Sequence, residues 1–241
     1  MVEFSMLSNK GTRDHNEDSI GMYQAEETYC FILADGLGGH GKGEVASRIA
    51  VDMVIETFAS EKRDKDFIDS AFERAQEAIT ERQSQERSCL DMKTTLVVLE
   101  VGADFVQWGH IGDSRLYYFQ DGKLQERTLD HSVPQMLVTV GEIREKDIRH
   151  HPDRNRLLRV LGVEMDEMKH QTAEPVKRKG RQAFLLCSDG FWELIEEKKM
   201  EATLRKAVSP DSWISAMEEI VLENGRNTDM DNYSAVAVWI D

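Results

Sequence analysis

Hydrophobic and polar positions alternate in blocks that predict β-strands along much of the chain. Six apolar runs are rich in β-branched and aromatic residues and are bounded by Gly, Asp or Asn. The predicted strands cover residues 29–34, 94–101, 105–111, 115–120, 183–188 and 233–240. Asp121-Gly122 follows the fourth run and is typical of a hairpin turn, because glycine tolerates a positive φ.

Three other segments carry apolar residues at the spacing of one helix face. The predicted helices cover residues 44–58, 65–87 and 209–223. The last begins with Ser209-Pro210, typical of a cap and first turn, and Gly225 follows as a stop signal. Two helices come early and consecutive strands follow, which favours an α+β domain with antiparallel sheet over regular βαβ alternation. With no internal repeat or linker, we expect a single domain over residues 1–241.

Composition and charge narrow the classes of function. The formal net charge of −15 disfavours nucleic acid and anionic lipid as partners. This negative charge favours the binding of divalent cations, although a role in solubility would explain the charge equally well. The three cysteines are widely spaced, which indicates neither a disulfide framework nor a zinc site. No signal peptide and no membrane-spanning run is evident, so we expect a cytoplasmic protein. We also expect it to be a monomer.

Four aspartates stand at the edges of predicted strands: Asp35, Asp113, Asp189 and Asp231. A sheet edge fixes a carboxylate outside the core, and converging carboxylates repel one another unless a cation neutralises them. Oxygen ligands suit Mg²⁺ or Mn²⁺, and Gly36 would let a backbone carbonyl approach such an ion. Aspartate is also a common turn residue, and spacing alone leaves both interpretations open.

The segment "RDHNEDS" adds an arginine and two acidic residues, Arg13, Glu17 and Asp18. The planar fork of an arginine can bind a phosphate bidentately. Spacing alone favours the simpler alternative, a surface salt bridge from Arg13 to Glu17 or Asp14. The glycine-rich stretch after Asp35 lacks the spacing of a nucleotide-binding loop.

Taken together, the motifs resemble one family. They are "RDHNEDS", "ADGLGGHGKGE", "TTLVVLEV", "HIGDSRLYY", "LLCSDGFWE" and "DNYSAVAV". Their order is similar to that of the metal-dependent Ser/Thr protein phosphatases of the PPM or type 2C family, over about residues 5–240. Each motif is weak alone, but the ordered set is specific. Residues 136–162 resemble the flap segment of bacterial members.

The resemblance implies a fold and a cofactor. The fold is a central antiparallel β-sandwich flanked by α-helices on both sides, a four-layer αββα arrangement. It would form one catalytic domain over residues 1–241, with a flap at about residues 134–162. The cofactor is a pair of divalent metal ions, Mn²⁺ or Mg²⁺, with a weaker third ion in bacterial relatives.

The resemblance also assigns metal ligands, residue by residue. Asp35 would bridge two ions, and Gly36 would offer its carbonyl to the first. Asp189 and Asp231 would complete the second ion together with Asp35 and water. Asp113 matches the position of the third ion.

Other matched positions would act around the ions. Glu17 and Asp18 would hold waters bound to the metals, and Arg13 would bind the substrate phosphate. His40 fits the Gly-Gly-His pattern of bacterial members and is the candidate general acid, with a metal-bound water as the alternative. The sequence departs from the family at Lys93, where a glycine is usual, and at Leu37, where animal members carry histidine.

The implied function is hydrolysis of phosphoserine and phosphothreonine in proteins by a hydroxide that bridges the metals. The enzyme would oppose a Ser/Thr kinase and act on phosphoprotein substrates. One alternative is a pseudophosphatase, a binding module without turnover; another is an enzyme acting on an anti-sigma antagonist type of regulator. An excess of cations in the flap either steers phosphorylated segments or forms a solvated face, and both interpretations stay open.

Overall fold

Two antiparallel β-sheets form the centre of the molecule. The computed structural model describes residues 1–38, 42–60, 67–163 and 170–241. The strands are β1 Val2–Asn9, β2 Asp18–Ala25, β3 Thr28–Leu37, β4 Lys93–Thr94, β5 Leu96–Val101, β6 Phe105–Ile111, β7 Arg115–Gln120, β8 Lys123–Arg127, β9 Gln171–Thr172, β10 Val176–Lys177, β11 Gln182–Cys187 and β12 Tyr233–Ile240.

The helices lie outside the sheets or in the connections between strands. They are α1 Gly43–Ala59, α2 Phe67–Gln85, α3 Val133–Thr139, α4 Asp189–Trp192, α5 Glu197–Leu204 and α6 Pro210–Asn224, with 3₁₀ turns at Arg87–Cys89 and Glu145–His150. None of the described helices combines the length with the apolarity that spanning a bilayer requires.

Each sheet draws strands from distant parts of the chain. The first sheet has the strand order β1-β12-β11-β7-β8, so the chain's first and last strands pair along their whole length. The second has the order β10-β6-β5-β3-β2, with β4 paired to β3 and β9 paired to β6. The connection from β6 to β7 crosses from one sheet to the other, which places its turn at the junction of the two.

The apolar side chains pack in three layers, which makes the arrangement four-layered. The inner faces of the two sheets meet in a core that includes Phe31, Leu99, Phe184 and Val238. Helices α1 and α2 cover the outer face of the second sheet, and α5 and α6 cover that of the first. The predicted α+β fold with a central antiparallel β-sandwich is confirmed.

The structure follows most of the predicted elements and adds others. The hairpin turn forms at Asp121 and Gly122, with φ of 50° and 74°. Helix α6 begins after Ser209, whose side chain accepts a hydrogen bond from the Ser212 N–H as a cap. The predicted strand 94–101 is interrupted at residue 95, and residues 65–66 of the second predicted helix lie outside the described residues. Strands β1 and β2 were not predicted.

The flap is tied to the body of the protein by its own arginines. Arg149 donates to Glu197 Oε1 at 2.6 Å and to the Trp192 carbonyl at 3.0 Å. Arg154 donates to Glu193 at 3.0 Å. These two cations are therefore bound to carboxylates of the α4–α5 segment, which neither interpretation of the flap charges had anticipated.

We expect the packing between the sheets to dominate stability. Phe184 is fully buried there and stacks on Tyr118 with ring centroids 4.9 Å apart. Phe184→Ala should lower the free energy of unfolding by about 3–5 kcal/mol, because it leaves a cavity that the rigid sheets cannot close. Chemical denaturation measures the loss. Phe4→Ala, at a phenylalanine 41% exposed on β1, is the control, and an equal loss in both variants would contradict the expectation.

Candidate active site

An acidic cleft of about 560 Å³ lies where the ends of several strands meet. Asp35 lies near the end of β3 in the second sheet, and Asp113 lies in the turn between β6 and β7. Asp189 follows β11 and Asp231 precedes β12, both in the first sheet. The cleft is lined by Arg13, Asp14, His15, Glu17, Asp35, Gly36, Leu37, Gly38, Asp113, Asn155, Leu157, Asp189, Asp231 and Asn232.

Two threonines fix the backbone of Asp35. The Asp35 N–H donates to Thr95 Oγ1 at 3.0 Å, and the Asp35 carbonyl accepts from the Thr95 N–H at 2.9 Å and from Thr94 Oγ1 at 2.8 Å. Thr95 Oγ1 also lies 2.8 Å from Ser114 Oγ. Because Ser114 follows Asp113, this buried contact links the positions of two of the cleft carboxylates.

Asp18 lies buried behind the cleft and pairs in register with Asp35 across β2 and β3. Its Oδ2 accepts from Ser188 Oγ at 2.8 Å, and Ser188 Oγ in turn accepts from the Ser234 N–H at 2.9 Å. Its Oδ1 is buried without a hydrogen-bond partner. Since Ser188 immediately precedes Asp189, Asp18 joins the two sheets directly beneath the cleft.

Asn232 ties the N-terminal loop to the last strand, and the sequence interpretation missed it. Its Oδ1 accepts from the Glu17 N–H at 2.7 Å. Its Nδ2 donates to the carbonyls of Lys10 and His15, both at 2.9 Å. Its position next to Asp231 could have indicated this role, because one buried asparagine side chain can form hydrogen bonds with several backbone groups of a loop.

Close backbone contacts explain two glycines at the cleft. A Cβ on Gly36 would collide with the Gly43 carbonyl at the start of α1 and with the Glu17 carbonyl. A Cβ on Gly190 would collide with the Asn232 carbonyl. Here glycine is needed because segments approach each other closely, so the packing of the chain accounts for Gly36 whether or not its carbonyl binds an ion.

Asp113 is held from behind by an indole. Trp192 Nε1 donates to the Asp113 carbonyl at 2.9 Å, and the Arg115 guanidinium lies 3.3 Å from the centroid of the Trp192 ring. Arg115 is itself buried in a bidentate pair with Asp130, with both distances 2.7 Å. Arg149 of the flap contacts the same indole ring, so flap and cleft share this support.

The cleft carboxylates destabilise one another's charged forms. Burial, and then repulsion from the neighbouring aspartates, raise the pKa of Asp35 and of Asp189 well above the usual range. Burial and Asp130 raise the pKa of Asp113 to about 7. Burial raises the pKa of Asp18 to about 6. Such a site favours a bound cation at neutral pH.

Arg13 provides a positive charge at the mouth of the cleft. Its Nε and Nη2 each donate to Asp231 at 3.1 Å, and its Nη1 lies 3.8 Å from Asp229. Its salt bridges are thus made to the last loop, rather than to Glu17 or Asp14. An arginine that donates two hydrogen bonds to one carboxylate also has the geometry to bind a phosphate bidentately.

The donor set of the cleft fits a hard divalent cation. Carboxylate and carbonyl oxygens predominate, as Mg²⁺ and Mn²⁺ require. Among the described residues, Asp231 is the one cleft aspartate of the four that forms a salt bridge. Within the described ranges, no three acidic, histidine or cysteine side chains are arranged to hold an ion by themselves. The ligand set implied by the resemblance includes a main-chain carbonyl and water, and these would have to complete the coordination.

The structure brings together most of the predicted site residues. Seven line the cleft, namely Arg13, Glu17, Asp35, Gly36, Asp113, Asp189 and Asp231. Asp18 lies beneath it, and His40 falls outside the described residues. Besides Asn232, the sequence interpretation missed Asn155 and Leu157, through which the flap reaches the cleft.

Burial of the Asp113 carboxyl should make the metal-free protein less stable as pH rises. The folded protein raises the pKa of Asp113 to about 7, so it binds that proton more tightly than the unfolded chain. The resulting stability is fully present below about pH 4 and is lost as pH rises through about 7. Asp113→Asn, which cannot ionise, should therefore raise the Tm without divalent ions by at least about 3 °C at pH 8 and little at pH 4.

Thermal unfolding in chelator measures both values. Asp52→Asn, at an exposed position of α1, is the matched control and should change the Tm little at either pH. A lower Tm for Asp113→Asn at pH 8 would contradict the predicted cost of ionising this buried carboxyl.

Comparison with known proteins agrees with this site. A family model described as protein phosphatase 2C matches residues 8–231. The serine/threonine phosphatase stp of Listeria monocytogenes is 32% identical over 200 residues, which are 80% of this chain and 79% of the relative.

Solved structures share the fold over the full chain. The Mycobacterium tuberculosis serine/threonine phosphatase PstP/Ppp is 28% identical with a TM-score of 0.86, covering 100% of this chain and 99% of that one. A catalytic domain of PstP solved in complex with two manganese ions is 25% identical with a TM-score of 0.82, covering 100% and 99%. The chain thus belongs to the protein phosphatase 2C family, as its ordered motifs predicted, and is a serine/threonine protein phosphatase.

Proposed function

We propose that this phosphatase depends on divalent metal ions held in the acidic cleft and that its chemistry takes place there. The convergence of Asp35, Asp113, Asp189 and Asp231 around one cleft, with Arg13 at its mouth, is the observation that carries the proposal. The fold holds Asp35 and Asp189 in place although burial, and then repulsion from neighbouring carboxylates, oppose their ionisation. A group of this kind is retained at a functional site more readily than for stability.

The proposed ligands are those that the resemblance assigns. Asp35, the Gly36 carbonyl, Asp189 and Asp231 would hold two ions, and Asp113 a weaker third. When bound, such ions acidify water and neutralise phosphate charge. Either Mn²⁺ or Mg²⁺ suits these oxygen donors, and the manganese-bound PstP structure supports the first.

The chain's own side chains would orient the substrate and order water. Arg13 would bind the phosphoryl oxygens bidentately after leaving Asp231, stabilising charge in the transition state. Glu17, which lines the cleft, and Asp18, with its unpartnered Oδ1, would accept hydrogen bonds from waters around the ions. His40 as general acid remains a prediction, because it lies outside the described residues.

The physiological setting is a further part of the proposal. Residues 1–241 would act as a single catalytic domain on proteins phosphorylated by a Ser/Thr kinase. The pseudophosphatase alternative is not favoured. The relatives of this chain are named phosphatases, and the chain retains the residues proposed as metal ligands. A phosphoproteome comparison with and without the protein would identify the substrates.

Removing a proposed metal ligand should abolish turnover. Asp35→Asn and Asp231→Asn should each lower Mn²⁺-dependent kcat on a phosphothreonine peptide at least about 100-fold, because an amide neither carries the charge nor bridges ions as a carboxylate does. Steady-state kinetics at saturating metal, with calorimetric titration of Mn²⁺, separate lost chemistry from lost binding.

The control is again Asp52→Asn on the surface of α1, which should keep wild-type activity. If Asp35→Asn and Asp231→Asn both retain activity close to wild type, the proposed use of the cleft is wrong.

Replacing Arg13 should weaken catalysis on phosphopeptides but strengthen the binding of metal ions. Arg13→Ala should lower kcat/KM for phosphopeptides about 100-fold, since it removes a bidentate phosphate contact. The same change should tighten Mn²⁺ binding, because in this structure Arg13 neutralises Asp231 at 3.1 Å. Kinetics and calorimetry measure the two effects, with Arg48→Ala on exposed α1 as control. Weaker Mn²⁺ binding by Arg13→Ala would contradict the argument.

A further inference from the structure

An apolar groove of about 370 Å³ lies beside the flap, separate from the acidic cleft. Four large apolar side chains line it: Leu129, Met136, Val140 and Leu158. Their exposed fractions are 50%, 47%, 64% and 52%. Among the described residues nine large hydrophobic side chains are exposed, so nearly half of them converge on this one groove. Clustered exposure of this kind marks an interaction surface, whereas single exposed residues do not.

Helix α3 forms one wall of the groove with the face that does not pack against the body of the protein. Pro134 is buried, and Val138, four positions later, packs against the core of the first sheet. Met136 and Val140 are four positions apart and therefore share the opposite face. Leu129 and Leu158 supply further apolar lining. The exposed apolar side chains are thus additional to those that fix α3 on the protein.

The groove and the acidic cleft are neighbours, because two adjacent residues line one each. Leu157 lines the cleft, and Leu158, next in the chain, lines the groove. This segment is fixed, because Leu157 bridges to Ser132 and the Leu158 N–H donates to the His131 carbonyl at 2.7 Å. Neighbouring Cα atoms are about 3.8 Å apart. A polypeptide whose phosphorylated residue lies in the cleft would therefore reach the groove within a few residues.

We propose that this groove binds a large apolar side chain of the phosphoprotein substrate, within about four residues of the phosphorylated one. The inference rests on the proposed function, since it takes the acidic cleft as the phosphate site. The nature of the bound residue follows from the closeness of the groove to the cleft. A polypeptide held in the cleft would pass the groove, and an aliphatic or aromatic side chain matches the apolar lining of the groove.

Polar groups around the groove suit a peptide rather than a bulk apolar surface. Arg159, Gln171 and Thr139 line it beside the four apolar residues. His131, 8% exposed, also lines it, and its Nε2 is buried without a hydrogen-bond partner. An apolar centre with polar groups at its edge is typical of a surface that binds polypeptide. The groove would therefore select sequence, while the cleft recognises phosphate.

Phosphothreonine peptides that carry either Leu or Ser at each position from −5 to +5 test the inference. The enzymes are wild type, Met136→Ser, Leu158→Ser and the double variant, and p-nitrophenyl phosphate is the substrate without a peptide. Leu222→Ser and Val208→Ser, at exposed apolar residues elsewhere, are matched controls. Each is assayed with Mn²⁺ for kcat/KM, and sedimentation velocity measures its oligomeric state.

Wild type should prefer Leu over Ser about fivefold to tenfold at one position or two adjacent ones, the effect of half-burying a leucine. The double variant should lose that preference and keep hydrolysis of p-nitrophenyl phosphate within about twofold of wild type, whereas the controls keep both. Absence of the preference in wild type, its persistence in the double variant, or its loss in a control would overturn the inference.

Two further outcomes would also overturn it, in distinguishable ways. A change in sedimentation confined to the groove variants would show that a second copy of the chain covers the groove. No metal-dependent hydrolysis of p-nitrophenyl phosphate by wild type would instead contradict the proposed function on which the inference rests.

Discussion

Repulsion between buried carboxylates is the constraint around which this structure is organised. Asp35 and Asp189 are held where burial and neighbouring aspartates oppose their ionisation. Flexible loops would let such groups separate, so they must be attached to something rigid. The inner core between the sheets, with residues such as Phe31, Phe184 and Val238 fully buried, supplies that rigidity. The stability of the sandwich is what keeps an unfavourable charge arrangement in place.

The two sheets act as a single support because small polar residues join them at the cleft. Thr95 contacts both Asp35 and Ser114, and Ser188 joins Asp18 to the segment that carries Asp189. Asn232 fixes the N-terminal loop on the last strand. Each is buried and its polar atoms are matched, as a low-dielectric interior requires. The carboxylates thus depend on neighbours that carry no charge themselves.

The sequence predicted those parts of the fold whose patterns are local. Runs such as 183–188 and 233–240 became central strands buried on both faces. Strands β1 and β2 escaped notice because many of their residues are only partly buried, which weakens alternation. The salt-bridge partner of Arg13 was not predicted for another reason, because Asp231 is 218 positions away in the sequence. The pairing of β1 with β12 brings these residues together, and no local pattern reports it.

Phosphate recognition and polypeptide recognition make opposite demands on a surface. The cleft is lined mainly by charged, polar and glycine residues, and such a lining offers little apolar surface with which to distinguish one phosphate ester from another. Discrimination among phosphoproteins needs apolar contact, which is favourable only where water is displaced from apolar surface. Within the described part of the chain, the flap and Leu129 bring such surface close to the cleft. Because Arg149 and Arg154 anchor the flap to the segment after Asp189, that surface is fixed relative to the carboxylates. Its selectivity is therefore a property of the folded framework as a whole.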